Sequence, residues 1–273
     1  WPAGRCFGSC ACRVSVFSAF VASANIQALR LTSYFHCSRK RPMSFVFSPM
    51  PVVSVPVQGQ PERFPVHRIY CVGRNYEEHA KEMGFTGREP PFFFLKPTDS
   101  LVVVDAGEMG SMPYPSLTKN LHHEIELVVA IGRGGKNIPA SDALQHVYGY
   151  AVGLDMTRRD LQGEAKKAGR PWEIGKAFEH SAPMTDIVTV EQIGHLSNGE
   201  ISLKVNGETK QKSDLNQLIW NVPEIIAHLS AIFELKAGDL IMTGTPAGVG
   251  AIKRGDVMEG HCAGIGSITA KVV

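Results

Sequence analysis

The sequence has no hydrophobic run approaching the roughly 18 residues that a membrane-spanning helix needs, because Ser, Gly or Lys interrupts its apolar stretches. It is also poor in cysteine after residue 42, where only Cys71 and Cys262 remain of the six in the chain. Two cysteines make no disulfide framework, so we expect a reducing compartment. The sequence therefore predicts no membrane partner and no stabilisation by disulfides.

Acidic residues are missing from residues 1–42, which contain six Arg or Lys side chains. The net charge of +2 hides this asymmetry, since residues 43–273 carry 22 basic and 26 acidic side chains. An acidic body argues against a nucleic-acid partner. The basic, Ser- and Ala-rich segment 1–42 is typical of a transit peptide, or it is an untranslated leader before a start at Met43. We expect it to be disordered, with a mitochondrial location in the first case and a cytoplasmic one in the second.

The remaining chain divides into an arm and a domain. Residues 43–66 contain five prolines, which favour an extended N-terminal arm, and we expect the catalytic domain to span 67–273. Helices are predicted at 76–83, 158–168 and 223–233, the last with Asn221 as its N-cap. Strands are predicted at 69–72, 92–95, 101–104, 124–131, 147–154, 201–205, 240–243 and 267–272. This is no regular alternation of strands and helices, so we predict an α+β fold built on a rolled mixed sheet with a few short helices.

Three carboxylates are the strongest chemical signal. Glu124 and Glu126 begin an apolar strand and are two residues apart, so their side chains share one face. Asp155 ends the next apolar strand, directly before a predicted helix. Together they form a candidate site for Mg²⁺, with Mn²⁺ and Ca²⁺ as alternatives. The competing interpretation is a strand end exposed to water, with Asp155 as a helix cap.

Polar side chains near these carboxylates are candidates for substrate binding. Arg158, Arg159 and Gln162 start the helix after Asp155 and can donate to a substrate carboxylate, unless they form a solvated helix face. Thr245 lies in a Gly-rich turn without the Gly-Lys-Ser/Thr ending of a phosphate loop. Its hydroxyl and the backbone N–H groups of that turn can also bind a carboxylate.

Candidates for catalysis come from two further segments. Lys176 has apolar and aromatic neighbours that can desolvate its ammonium and direct it at developing negative charge, although most lysines are exposed. His79 and Glu82 are three apart on a short predicted helix. The carboxylate can orient the imidazole and raise its basicity, which makes the pair a candidate general base for water. Short charged surface helices are common, so this pattern by itself is weak.

In chain order these segments resemble the fumarylacetoacetate hydrolase family. The matching motifs, which begin near Ile69 and cover about three quarters of the chain, are Gly73-Arg-Asn-Tyr, His122-x-Glu-x-Glu, Gly153-x-Asp-x-Thr-x-Arg-Asp-x-Gln, Gly175-Lys and Thr243-Gly-Thr-Pro-x-Gly-Val-Gly. The segments Pro90-Pro-Phe-Phe-Phe-Leu-Lys-Pro and Ile219-Trp-Asn-Val-Pro are similar in sequence to the family's fumarylpyruvate-cleaving branch, which acts in gentisate breakdown. The related acylpyruvases share most of the same site.

The resemblance implies a homodimer that hydrolyses a carbon-carbon bond of a small 2-oxo dicarboxylic acid. It implies a divalent metal held by Glu124, Glu126 and Asp155, and a His79 and Glu82 dyad on a lid. It places the remaining candidates around the substrate: Lys176, Arg159, Gln162 and Thr245. The expected reaction converts 3-fumarylpyruvate to fumarate and pyruvate.

Other functions stay open on the sequence alone. Arg158 or Arg74 is our hypothesis for a second cationic contact to the fumaryl carboxylate. Simpler acylpyruvates or oxaloacetate, which would be decarboxylated, are alternative substrates for the same site. The competing hypothesis from outside the enzymes is a catalytically silent binding protein of the same fold. Its basic N-terminal arm would hold an anionic partner without metal.

Overall fold

The computed structural model describes residues 44–82 and 88–273, with the side chains of residues 80–82 outside that description. The chain divides into two units, 1–49 and 50–273, and the described residues of the first, 44–49, form neither helix nor strand. The predicted leader, 1–42, lies outside the described residues. Within the described ranges, no helix combines the length and hydrophobicity required to cross a membrane.

The described part of the second unit contains four β-sheets, whose strands are numbered in chain order. The eight-stranded sheet has the spatial order β4 (Phe92–Lys96), β3 (Ile69–Gly73), β15 (Leu240–Met242), β8 (Ile125–Ile131), β9 (Val147–Leu154), β11 (Ala182–Met184) and β5 (Leu101–Val103), with β12 (Val188–Thr189) also on β9. The five-stranded sheet has the order β14 (Glu208–Asp214), β13 (Glu200–Val205), β17 (Val257–Cys262), β18 (Gly266–Val272) and β6 (Met109–Met112). The smaller sheets are β10 (Thr157–Arg158), β7 (Leu121–His123) and β16 (Gly250–Ile252), and the hairpin β1 (Ser54–Pro56) and β2 (Arg63–Pro65).

Helices in the described residues are few and short. They are α1 (Glu77–Glu82), α2 (Arg159–Lys167), α3 (Glu173–Lys176), α4 (Val190–Ile193) and α5 (Val222–Ile232). Short 3₁₀ turns cover Thr98–Ser100, Ala143–His146 and Leu215–Gln217. Parallel pairs (β15 with β3, β11 with β5, β18 with β6) stand among antiparallel ones. The predicted α+β class with a mixed β-strand roll is confirmed.

The cap of α5 follows the sequence prediction. The Asn221 side chain accepts a hydrogen bond from the Glu224 backbone N–H at 3.1 Å, and the Glu224 carboxylate accepts one from the Asn221 N–H at 3.1 Å. This reciprocal pair satisfies two N–H groups that a helix start leaves without partners. The helix begins at Val222, one residue before the predicted start, with Pro223 in its first turn.

The central strand β8 is buried along its whole length and serves two cores. Leu127 and Val129 face one hydrophobic cluster, while Val128 and Ala130 face another. Alternate residues of a strand point to opposite faces, so a continuous apolar run is required here. The first cluster also contains Leu203 and Ile268 of the five-stranded sheet, which therefore covers one face of the larger sheet.

The hairpin β1–β2 covers the other face. Val55 and Phe64 are 0% and 7% exposed and belong to the second cluster. Backbone N–H of Gln58 donates to the Ile187 carbonyl at 2.9 Å, and that of His67 donates to the Gly238 carbonyl at 2.8 Å. The segment predicted as an arm before 67 thus contributes to the core, because the large sheet has two apolar faces to bury.

We expect Val55→Ala to lower the free energy of unfolding by about 2 kcal/mol, since it removes two buried methyl groups and leaves a cavity. For a domain of this size the melting temperature should fall by roughly 4–8 °C in a thermal unfolding scan. Val52→Ala is the matched control, because Val52 is 72% exposed. Equal melting temperatures for the two variants would contradict the assignment of the hairpin to the core.

Candidate active site

Three buried carboxylates meet at one edge of the eight-stranded sheet. Each of Glu124, Glu126 and Asp155 offers an oxygen within 4.8 Å of the others, and their exposures are 5%, 1% and 1%. Antiparallel pairing of β8 with β9 sets Glu126 opposite Gly153, and the Asp155 N–H donates to the Glu124 carbonyl at 2.8 Å. Neighbouring strand ends therefore bring the carboxylates together.

Glu124 lies between two strands rather than inside one. The predicted strand 124–131 corresponds to β8, which begins one residue later. The preceding residues Leu121–His123 form β7, a strand of a different sheet that the sequence did not predict. The break occurs at Glu124, where the chain passes from the three-stranded sheet to the eight-stranded sheet. Its carbonyl still pairs with the Asp155 N–H, so the two residues stay in register.

Lys176 bridges two of the carboxylates. Its Nζ is 2.7 Å from Glu124 Oε2 and 2.6 Å from Asp155 Oδ2, and the residue is 2% exposed. Burial lowers the pKa of Lys176, but the two carboxylates outweigh this effect and hold the pKa above its ordinary value. Burial by itself would raise the pKa of Glu124. The charges of Lys176 and Arg159 have the larger effect and hold the pKa of Glu124 below its ordinary value. Both groups are charged at neutral pH.

Glu126 has a different environment. Its Oε2 accepts a hydrogen bond from the Gly244 N–H at 2.8 Å. Burial, followed by the charges of Asp155 and Glu124, raises the pKa of Glu126 well above its ordinary value. Clustered buried carboxylates of this kind, with hard oxygen donors, fit a divalent cation, which relieves their repulsion.

Arg159 connects the cluster to α2. Its Nη2 donates to Glu124 Oε1, its Nη1 to Gln162 Oε1 at 2.6 Å, and its Nε to His122 Nδ1 at 3.3 Å. Burial, then Arg159, lowers the pKa of His122 to about 4, so the imidazole is neutral at pH 7. We assign the tautomer with Nε2–H donating to Asn120 Oδ1, at 2.9 Å, which leaves Nδ1 free to accept from Arg159.

Thr245 is held by a residue that sequence reasoning missed. Gln211 Nε2 donates to Thr245 Oγ1 and to the Pro246 carbonyl, both at 2.8 Å. Its Oε1 lies 2.9 Å from His123 Nδ1 and accepts from the Ile125 N–H at 3.1 Å. Gln211 is 1% exposed although β14 is otherwise largely polar and exposed, so no local sequence signal marks it.

Lys96 was also missed. Its Nζ lies 2.9 Å from Asp155 Oδ1, donates to Ser181 Oγ at 2.9 Å and to the Met156 carbonyl at 3.2 Å, and contacts the Lys176 carbonyl. Lys96 is 2% exposed and ends β4, after three phenylalanines. The one sequence feature that could have indicated a buried Lys96 is its position at the end of an aromatic strand.

The other predicted residues differ in position. His79 on α1 is 5% exposed and lines the same cavity as the carboxylates, as do Arg74, Gln162 and Thr245. The Glu82 side chain lies outside the described residues. Arg158 is directed elsewhere: its guanidinium carbon is 4.3 Å from the Phe178 ring centroid, and its Nη1 donates to the Ile174 carbonyl at 3.4 Å.

Known proteins are similar to this chain in sequence and in fold. Residues 68–273 match the family model described as "Fumarylacetoacetate (FAA) hydrolase C-terminal". "Oxaloacetate tautomerase FAHD1, mitochondrial" of Rattus norvegicus is 44% identical over 204 residues, 75% of this chain and 90% of the relative. "Oxaloacetate decarboxylase, mitochondrial" of Dictyostelium discoideum is 42% identical over 192 residues, 70% and 87% respectively. The crystal structure of fumarylpyruvate hydrolase from Pseudomonas aeruginosa in complex with Mn²⁺ and pyruvate is 55% identical with a TM-score of 0.83, covering 84% of this chain and 99% of that one.

Glu126→Gln should stabilise the metal-free protein, because an amide cannot ionise beside Asp155 and Glu124, and its oxygen still accepts from the Gly244 N–H. The pKa of Glu126 is raised in the fold, so its ionisation costs stability as pH rises above about 4.5. The melting temperature of the variant should therefore exceed that of the wild type by about 2–4 °C for each kcal/mol relieved, and this gain should grow between pH 4.5 and 8. A gain that shrinks with rising pH would contradict this view.

Lys96→Met should lower the stability of the metal-free protein, because it leaves Asp155 without one of its two buried ammonium partners. Breaking a buried ion pair costs about 3–5 kcal/mol. The measurement is the melting temperature of the metal-free protein in a thermal unfolding scan. Lys271→Met, at an exposed position, is the matched control. An unchanged melting temperature in Lys96→Met would show that Lys96 does not hold Asp155.

Proposed function

The chain belongs to the fumarylacetoacetate hydrolase family, and we propose that it is a metal-dependent hydrolase that cleaves 3-fumarylpyruvate to fumarate and pyruvate. One observation carries the proposal: three buried carboxylates converge beside a buried ammonium and a guanidinium in one cavity. The similarity to fumarylpyruvate hydrolase supports the choice of substrate within the family.

Glu124, Glu126 and Asp155 would hold the metal, for which Mg²⁺ is our first choice and Mn²⁺ is supported by the ion in the similar structure. When bound, the metal supplies Lewis-acid polarisation of the substrate oxygens. The metal would also neutralise the charge of Glu126, whose carboxylate forms no ion pair with Lys176 or Arg159 among the described residues. Arg159, Gln162 and Thr245 would bind and orient the pyruvyl carboxylate with charged and neutral donors.

The proposed reaction is hydrolysis of a β-diketone acid. His79, oriented by Glu82, takes a proton from water, and the hydroxide attacks the acyl carbonyl carbon. The carbon-carbon bond then breaks, and its electron pair passes to the pyruvate enolate. Lys176 remains protonated because its pKa is raised, and its ammonium stabilises that negative charge. Return of the proton from His79 to the enolate carbon gives pyruvate, and the acyl group leaves as fumarate.

Oxaloacetate is the second candidate substrate, favoured by the names of the two relatives at 44% and 42% identity. Its decarboxylation would form the same pyruvate enolate beside Lys176, so the same residues serve both reactions. Simpler acylpyruvates would be hydrolysed as fumarylpyruvate is. The silent binding protein remains the hypothesis of another class, and the intact set of carboxylates and cations in the cavity argues against it.

Three further expectations accompany this proposal. We propose a homodimer that acts in aromatic catabolism of the gentisate type. The location is cytoplasmic if translation starts at Met43. It is mitochondrial if residues 1–42 are a transit peptide, and the names of the two relatives favour that reading.

Chelator-treated protein should lose fumarylpyruvate cleavage and regain it with Mg²⁺ or Mn²⁺, followed as loss of substrate absorbance. Asp155→Asn should abolish the metal-dependent rate, and His79→Ala should lower kcat about 10²–10⁴-fold, the usual contribution of a general base. Asp142→Asn is the matched control, because Asp142 is exposed and does not line the site cavity.

The outcomes separate the candidates. Turnover of oxaloacetate alone would contradict the proposed substrate and retain the site. Turnover of no 2-oxo acid, together with salt-sensitive and metal-independent binding of an anionic partner, would favour the binding protein.

A further inference from the structure

A second cavity adjoins the carboxylate site and has no role in the reaction described above. It has a volume of about 390 Å³ and shares Arg74, Phe94 and Trp172 with the site cavity. The site cavity itself has only about 20 Å³, which is room for about one water molecule. The body of an acylpyruvate must therefore extend beyond the carboxylate cavity, and the aromatic cavity is its neighbour.

Aromatic rings form the walls of this second cavity. Phe92 packs edge-on against Trp172, with ring centroids 4.9 Å apart and an angle of 89°. Gly73 lies opposite Phe92 in the β3–β4 pair, and a Cβ there would lie 2.0 Å from Phe92 Cζ. Only glycine lets the ring lie across the end of β3, so the backbone itself determines the position of this wall.

Arg74 is the cation at the junction of the two cavities. It has a left-handed backbone with φ of 54°, and its guanidinium carbon is 4.8 Å from the Phe92 ring centroid. Arg158, the other candidate for a second cationic contact, packs on Phe178 and lines neither cavity. Glu173 also lines the aromatic cavity, so an anionic group would favour the Arg74 side.

We infer that Arg74 and Phe92, with Trp172, form the binding subsite for the acyl arm of the substrate. The subsite selects acyl groups that are planar, conjugated and terminated by a carboxylate. A flat conjugated chain gains from contact with the aromatic rings, and its terminal carboxylate gains from the guanidinium. This inference rests on the proposed hydrolase function and adds its specificity. Acetylpyruvate has no carboxylate on its acyl group for the guanidinium to bind, and oxaloacetate has no conjugated acyl arm for the aromatic rings to contact.

The test compares substrates within one enzyme. For Arg74→Gln we expect the ratio of kcat/KM for fumarylpyruvate to that for acetylpyruvate to fall about 10–100-fold, the loss of one charge-assisted hydrogen bond. Phe92→Leu should lower the same ratio by a smaller factor. Arg133→Gln is the matched control, because Arg133 is exposed and follows the opposite end of β8.

Direct binding separates the subsite from turnover. Calorimetric titration with fumarylpyruvate uses metal-loaded His79→Ala protein, in which turnover is slowed. Adding Arg74→Gln to this variant should weaken binding of fumarylpyruvate, whereas inhibition of the Arg74→Gln enzyme by pyruvate should keep its strength. An equal loss for both substrates in Arg74→Gln, or a selective loss in Arg158→Gln instead, would overturn the inference. A wild type that binds fumarylpyruvate through Arg74 without cleaving it would overturn the proposed reaction and support the subsite.

Discussion

Burial of three carboxylates in one small space is the constraint on which the rest of this site depends. Desolvation disfavours each ionised carboxylate, and their mutual repulsion adds to that cost. Lys176 balances Glu124 and Asp155, Lys96 gives Asp155 a second partner, and Arg159 gives Glu124 a second partner. Glu126 is left with a backbone donor and a raised pKa. The charge that a divalent cation brings is the natural complement of this imbalance.

The carboxylates come together because several neighbouring strands end at the same side of the large sheet. Strands β8, β9 and β15 are neighbours in the large sheet, and their ends carry Glu126, Asp155 and the Gly244 turn. The site can be buried because both faces of this sheet are covered, one by the five-stranded sheet and the other by the β1–β2 hairpin. The rigid sheet also presents Phe92 and Phe94 from β4 toward the neighbouring cavity. The carboxylate site and the aromatic cavity thus share one scaffold.

Local pattern predicted much of the fold. Strand β9 has the bounds read from its apolar run, 147–154, and Asn221 caps α5 through the expected pair with Glu224. The same apolar runs predicted the three carboxylates, because Glu124, Glu126 and Asp155 stand where these runs begin or end. The sequence predicts an extended arm at 43–66, where the structure has the β1–β2 hairpin. Prolines are uncommon inside strands, and the burial of this hairpin depends on a sheet face formed by residues distant in the chain. The sequence did not predict β7 before Glu124, because the pairing of this three-residue strand with β10 and β16 depends on segments distant in the chain.

The sequence by itself determined the class of fold, the candidate metal ligands and the family, because these depend on residue types and on spacing within a segment. Only the tertiary structure decided which partners balance those ligands. Lys96 is 59 residues from Asp155 and Gln211 is 34 from Thr245, so nothing local joins them. It likewise distinguished Arg74 from Arg158, two cations that the sequence left equivalent. The physical reason is that a charge is stabilised by the atoms that surround it, and packing chooses those atoms without regard to their separation along the chain.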